Sequence, residues 1–202
     1  MDRRDFFRRA FSKGAETVTK AVDQHVSQRA SHWLRPPYAL DELDFLLACT
    51  RCDACVTACP HQVIFTLPAR LGVQVVGTPA MDLLNKGCQL CSDWPCVTVC
   101  EPGALKRPEP IANDADDAAP EPVPLPRMAL AEIDTAACLP YSGPECGACR
   151  DSCPVPGALL WSMEKPRIDP EHCTGCALCR VACIATPNAV LIQSLHKPTV
   201  PA

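Results

Sequence analysis

At 202 residues the chain has room for one domain or two small ones. Sixteen cysteines and twenty-two prolines stand against only three Trp, two Tyr and five Phe, which leaves little material for a large packed core. A formal charge of −4 argues against a nucleic-acid binder, and no run of about 18 apolar residues is present to cross a membrane as a helix.

The amino terminus, MDRRDFFRRAFSKG, is basic, with Arg3, Arg4, Arg8, Arg9 and Lys13 against Asp2 and Asp5. Arg3-Arg4-Asp5-Phe6-Phe7 looks like a twin-arginine export motif, but an export signal also needs an apolar stretch and a small-residue cleavage site. Residues 8–30 instead carry Arg8, Arg9, Lys13, Glu16, Lys20 and Asp23, while Phe7, Phe11, Val18 and Val22 fall on one helical face. The pattern predicts an uncleaved amphipathic helix.

Four cysteine groups follow. The first is Cys49, Cys52, Cys55 and Cys59, a C-x2-C-x2-C-x3-C run closed by Pro60. The second is Cys88, Cys91, Cys96 and Cys100, in which Ser92-Asp93-Trp94-Pro95 widens the loop and Glu101 replaces the closing proline. The third is Cys138, Cys146, Cys149 and Cys153, with an eight-residue step at its start and Pro154 at its end. The fourth, Cys173, Cys176, Cys179 and Cys183, repeats the spacing of the first but ends on Ile184. No cysteine is left over.

Disulfides fit poorly, because cysteines repeating every third residue are badly placed to bridge one another. Zinc prefers two C-x2-C knuckles separated by a longer loop. Three cysteines in one loop with a fourth three residues on suit a [4Fe–4S] cube, in which the fourth cysteine reaches the neighbouring cube. Four such cubes use all sixteen cysteines. Each oxidised cube with its thiolates carries about −2, which takes the loaded chain to roughly −12.

The flanks repeat as well. Ile133-Asp134 and Ile168-Asp169 stand at the same distance before Cys138 and Cys173, and Ala104-Leu105, Ala158-Leu159 and Ala189-Val190 follow last cysteines. Short strand, ligand loop, helical turn and second strand make up this rhythm, which is half of a two-cluster ferredoxin module. Nineteen residues lie between Cys153 and Cys173, and twenty-eight between Cys59 and Cys88, enough for a hairpin insertion through Leu71–Ala80. The thirty-seven between Cys100 and Cys138 are rich in proline and acid and read as a linker.

The expected fold is α+β: tandem bacterial-type 2[4Fe–4S] ferredoxin-like modules with an N-terminal helical extension. The expected divisions are a basic extension over 1–34, a first module over 35–106, a linker over 107–127, a second module over 128–194 and a tail over 195–202. Sequential pairing with crosswise ligation gives four sets. They are Cys49, Cys52, Cys55 with Cys100; Cys88, Cys91, Cys96 with Cys59; Cys138, Cys146, Cys149 with Cys183; and Cys173, Cys176, Cys179 with Cys153. The linker also permits a topology that pairs the first group with the fourth.

Trp94 reads as a packing residue, with cover for a cluster or a docking face as the sharper alternative. His25, His32, His61, His172 and His196 are scattered, and cysteines already fill the cube corners. No phosphate loop or nucleophile elbow is present, so the chain does not read as an enzyme.

Several stretches carry a family likeness. LRPPYALDELDFLLACTRCDAC and CLPYSGPECGACRDSCP resemble the NapF-type ferredoxins of periplasmic nitrate reductase systems. GTPAMDLLNKGCQLCSDWPCVTVCEPGAL looks more like the related NapG and MauM ferredoxins. The resemblance covers about residues 34–192 and implies four [4Fe–4S] clusters on the sixteen cysteines. It further implies electron transfer, maturation of a molybdoenzyme, or both, with that enzyme or its precursor as the redox partner. The missing apolar stretch tips the balance toward a cytoplasmic, NapF-like protein, where thiols stay reduced for assembly. Peripheral membrane contact through the basic extension is a further expectation. The other functional reading is an electron-transfer subunit of a quinol- or dehydrogenase-linked respiratory chain with no maturation role.

Overall fold

The computed structural model describes residue 26, residues 30–109 and residues 123–196. The amphipathic helix expected at the amino terminus and the middle of the linker lie outside the described residues. The fold is α+β, built from short pieces: helices α1 Glu42–Ala48, α2 Ala54–Ala58, α3 Pro95–Thr98, α4 Leu139–Ser142 and α5 Leu178–Ala182, and six strands. The strands form antiparallel pairs. Strand β1 Ile64–Thr66 pairs with β2 Pro79–Met81, β3 Leu130–Ile133 with β6 Val190–Gln193, and β4 Leu159–Ser162 with β5 Lys165–Ile168.

The two halves of the chain repeat one another in their backbone hydrogen bonds. The N–H of Leu40 donates to the carbonyl of Ala104 at 3.0 Å, and the N–H of Asp134 donates to that of Ala189 at 2.8 Å. In the same way Asp82 donates to Val63, and Asp169 to Ala158, each at 2.9 Å. These equivalent bonds hold the same alanine and valine flanks that recur in the sequence. The outer pair of the first half is reduced to a single bridge, Ala39 to Leu105, where the second half has the full β3–β6 ladder.

The inner hairpins differ for a local reason. In the second half, Met163 and Glu164 both sit at positive φ (46° and 62°), which closes β4 onto β5 in two residues. In the first half, twelve residues separate β1 from β2, and Gly72 and Gly77 at φ 107° and 74° turn the chain there. This is the insertion expected from spacing, and its use is visible in the packing. Leu67, Val75 and Ala80 form a small apolar cluster with Ala30 and Trp33, which sequence reasoning had placed in the extension. Residues 30–34 are therefore rooted in the first half.

One core serves both halves. Phe45, Leu83, Trp94 and Leu105 of the first pack in the same cluster as Met128, Ala129, Cys176 and Ala177 of the second. The ends of the linker take part: Tyr38 Oη donates to the carbonyl of Pro124 at 3.0 Å, and Met128 N–H donates to that of Thr174 at 2.8 Å. Five cysteines lie among the buried residues, in a protein with few large apolar side chains.

Candidate metal centres

The cysteine loops are curled by unusual backbone. Arg51, Leu90 and Gly175, each just before the second cysteine of its group, have φ of 59°, 49° and 73°. Asp53, Trp94 and Ala177 are also left-handed, at 59°, 46° and 64°, and each precedes the short helix bearing the third cysteine. Five of these six residues carry a Cβ that disfavours the conformation, so the surrounding structure must hold it. Left-handed residues set into such a loop can turn N–H groups to one side, the geometry that receives an anion. Gly175 has no substitute: a Cβ there would lie 2.2 Å from the carbonyl oxygen of Ala129.

In the first and fourth groups the last cysteine leaves its loop by the same route. Helix α2 ends at Ala58 and Cys59 caps it with φ −75° and ψ 108°; α5 ends at Ala182 and Cys183 caps it with φ −71° and ψ 126°. Extended backbone at the cap carries the last sulfur away from its own loop. The eight-residue step in the third group is taken up by α4, a single turn that starts at Leu139 directly after Cys138.

Three apolar cavities result, and each is lined by four cysteines drawn from two groups. Cys49, Cys52, Cys55 and Cys100 line one; Cys59, Cys88, Cys91 and Cys96 line the second; Cys138, Cys146, Cys149 and Cys183 line the third. Their volumes agree, about 350–360 Å³ of atom-free space including the mouth, so they suit one kind of occupant. The remaining four meet as well. Cys153 is near enough to Cys173, Cys176 and Cys179 for charge repulsion to push up their thiol pKa, behind the larger effect of burial. Sequential pairing, not first with fourth, is the arrangement in which the structure brings the cysteines together.

Burial dominates the titration of these thiols in the metal-free chain. It pushes Cys55 and Cys149 up to about 11, and Cys96 and Cys179 up to about 12, with neighbouring thiolates adding to the shift. Such groups stay protonated until a cation displaces the proton, so loading releases protons. Among the described residues no group of three His, Cys, Asp or Glu is placed to hold a single metal ion. The sulfurs of a set instead stand around a cavity, as a polynuclear centre needs.

Two buried donors test the fit. Thr174 Oγ1 and Trp161 Nε1 are buried with no oxygen or nitrogen partner. Thr174 lies against Cys176, where its hydroxyl lowers the thiol pKa, opposing the larger effect of burial. Trp161 walls the cavity of Cys138, Cys146, Cys149 and Cys183, and the Arg150 guanidinium stacks 4.7 Å from its ring centroid. Backbone N–H groups already point at sulfur: Leu105 to Cys100 at 3.3 Å and Gly175 to Cys173 at 3.4 Å. Donors aimed at a sulfur-rich, negatively charged group are what an iron–sulfur centre calls for, and the residues fit it.

Trp94 packs in the core, as its large ring suggests. It is 5% exposed, packs edge-on to Tyr38 at 5.0 Å, and also walls the cavity of Cys59, Cys88, Cys91 and Cys96. Sequence reasoning missed Thr174 and Trp161, since an isolated threonine and a strand tryptophan give no signal until the fold sets them beside cysteines. It also noted Arg35-Pro36-Pro37 without a role. Both prolines are fully buried, and Arg35 reaches Glu42, Thr78 and the carbonyl of Pro79.

An α+β chain whose buried cysteines converge in this way is an iron–sulfur protein of the electron-transfer class. Comparison with known proteins gives the family. The chain is similar to the ferredoxin-type protein NapG of Escherichia coli, 31% identical over 95% of this chain and 84% of that one. It is 33% identical to the methylamine utilization ferredoxin-type protein MauM of Methylophilus methylotrophus, over 94% of this chain and 85% of the other. The ferredoxin-type protein NapF of E. coli is 28% identical over 84% of this chain and 90% of its own. The chain belongs to this NapG/MauM/NapF family of ferredoxin-type proteins. The identities do not single out the NapF pattern to which the missing apolar stretch had pointed. No protein-family model and no solved structure matches the chain. Among the described residues no helix is long and apolar enough to cross a membrane.

Proposed function

We propose that the chain carries four [4Fe–4S] clusters in two ferredoxin modules, residues 35–106 and 128–194, and passes single electrons to a redox partner. The observation that carries this is the convergence of four cysteines from two different groups around each of three matching cavities. Cys49, Cys52, Cys55 and Cys100 would hold one cluster, and Cys59, Cys88, Cys91 and Cys96 the next. Cys138, Cys146, Cys149 and Cys183 would hold a third, and Cys153, Cys173, Cys176 and Cys179 the fourth. Each cluster supplies a one-electron couple when bound. The chain's own residues bind it through thiolates, exclude water with Trp94, Phe45 and Trp161, and orient N–H donors toward sulfur.

The partner on this reading is a molybdoenzyme, such as a periplasmic nitrate reductase, or its precursor. The second reading, a subunit of a dehydrogenase-linked chain, draws support from MauM, whose name places it in methylamine utilization. A cytoplasmic location follows from the need for reduced thiols during assembly. Anaerobically assembled protein should contain about 16 iron and 16 sulfide per chain. Stoichiometric zinc, or iron near half that value, would reject the four-cluster reading.

A further inference from the structure

Two of the four cysteine sets touch across the boundary between the halves. The N–H of Cys88 donates to the carbonyl of Cys176 at 2.8 Å, joining a residue of the Cys59 set directly to one of the Cys153 set. The approach is close: a Cβ on Gly87 would lie 2.6 Å from Leu178 Cδ2 and 3.2 Å from Leu178 Cα. Arg180, one turn on in α5, donates from Nε to the carbonyl of Leu84 at 2.9 Å and pins the same contact. Cys96 and Cys176 share one apolar cluster with Leu83 and Ala177, so the junction is dry.

The other two sets stand outside this junction. Among the described residues, the cavity of Cys49, Cys52, Cys55 and Cys100 is walled from within 45–105, and that of Cys138, Cys146, Cys149 and Cys183 from within 133–190. Each is tied to its inner neighbour by one short helix. Helix α2 carries Cys55 and is capped by Cys59, and α5 carries Cys179 and is capped by Cys183.

Building on the electron-transfer reading above, we infer that electrons cross the protein in the order Cys49 set, Cys88 set, Cys173 set, Cys138 set, and pass between the halves at the Cys88–Cys176 contact. The third and fourth sets in space are thus exchanged relative to the sequence. One electron leaves one inner set and is gained by the other, and no proton or bond change accompanies it. A low-potential one-electron donor protein serves one outer set and an oxidised redox protein the other. Tunnelling falls steeply with distance, so the two sets whose cysteines are joined directly carry the crossing. Gly87 is the positioning residue, because a side chain there would press on Leu178 and push α5 away from Cys88.

The test is magnetic coupling between clusters in the dithionite-reduced, fully loaded chain. One coupling should disappear in both Cys96→Ala and Cys179→Ala and survive in both Cys52→Ala and Cys146→Ala. Gly87→Val should weaken that same coupling and leave the couplings within each half. A coupling between the halves that vanishes instead with Cys52→Ala or Cys146→Ala overturns the order. So does Gly87→Val with full iron and unchanged spectra. If Gly87→Val loses iron, the four cysteine variants still decide. Iron far short of four cubes in the unaltered chain defeats the electron-carrier reading itself, whereas full iron with the wrong coupling pattern defeats only the order.

Discussion

Arg35 and Glu42 form a two-pronged ion pair inside the first half, with Nε 2.9 Å from Oε2 and Nη2 2.6 Å from Oε1. The Glu42 side chain is fully buried, and Trp33 Nε1 also donates to it at 3.1 Å. The guanidinium lies 5.4 Å from the centroid of the Trp33 ring and 4.4 Å from that of Phe45, and donates to Thr78 Oγ1 and Pro79 O. One side chain thus fastens α1, the chain before it and the inserted hairpin, beside the cavity that Phe45 helps to wall.

Glu42→Gln and Arg35→Met each leave a buried charge without its partner, which costs about 3–5 kcal/mol. Denaturant unfolding of the loaded protein should show that loss. The double replacement by apolar residues should recover much of it. Single variants as stable as the parent would mean that water reaches the pair.

Spacing favoured the neighbouring groups without deciding between topologies: nineteen residues after Cys153 suit a turn and a return strand, while the linker left the first group free to meet the fourth. The hairpin over Leu71–Ala80 was legible from spacing. The ion pair was not, since a buried Arg35 and an exposed one look alike in sequence. Nor was the close contact at Gly87, because the packing of one repeat on the next depends on surfaces that have no periodic signature. The left-handed residues at Arg51, Asp53 and Leu90 were equally hidden, as none is a glycine.

Crosswise ligation is tested by the last cysteine of a group. Cys59 caps α2 in the first loop yet lines the cavity of Cys88, Cys91 and Cys96. Cys59→Ala should therefore damage that cluster and spare the one on Cys49, Cys52 and Cys55. Cys153→Ala makes the same test on Cys173, Cys176 and Cys179. Loss of the cluster on the cysteine's own loop, read by electron paramagnetic resonance, would reject the exchange.

Donors near a cluster set its potential, because they stabilise the extra negative charge of the reduced form. Trp161→Phe removes the orphaned indole N–H from the wall around Cys138, Cys146, Cys149 and Cys183 while keeping an aromatic ring there. The potential of that cluster should fall while the others hold. Thr174→Val should do the same for the set containing Cys176. A redox titration in which neither variant moves any potential would show that these donors point elsewhere.

The basic extension is the odd region in a chain that would reach roughly −12 with the four proposed clusters bound. Arg3, Arg4, Arg8, Arg9 and Lys13 lie within its first thirteen residues. Opposite charge favours a dock on an acidic partner surface or on anionic lipid, with attraction that weakens as salt rises. The structure fixes where a truncation can stop. Ala30 is fully buried, and Ser194 Oγ donates to its carbonyl at 3.1 Å, so a cut beyond residue 29 would damage the body. Deleting residues 1–25 should leave iron content and potentials intact but abolish co-purification of the partner. Reversing the charge of Arg3, Arg4, Arg8 and Arg9 should have the same effect without shortening the chain. If the truncated protein keeps its partner and its function in cells, the extension plays no part in docking, and the clusters alone carry the activity as a simple electron carrier.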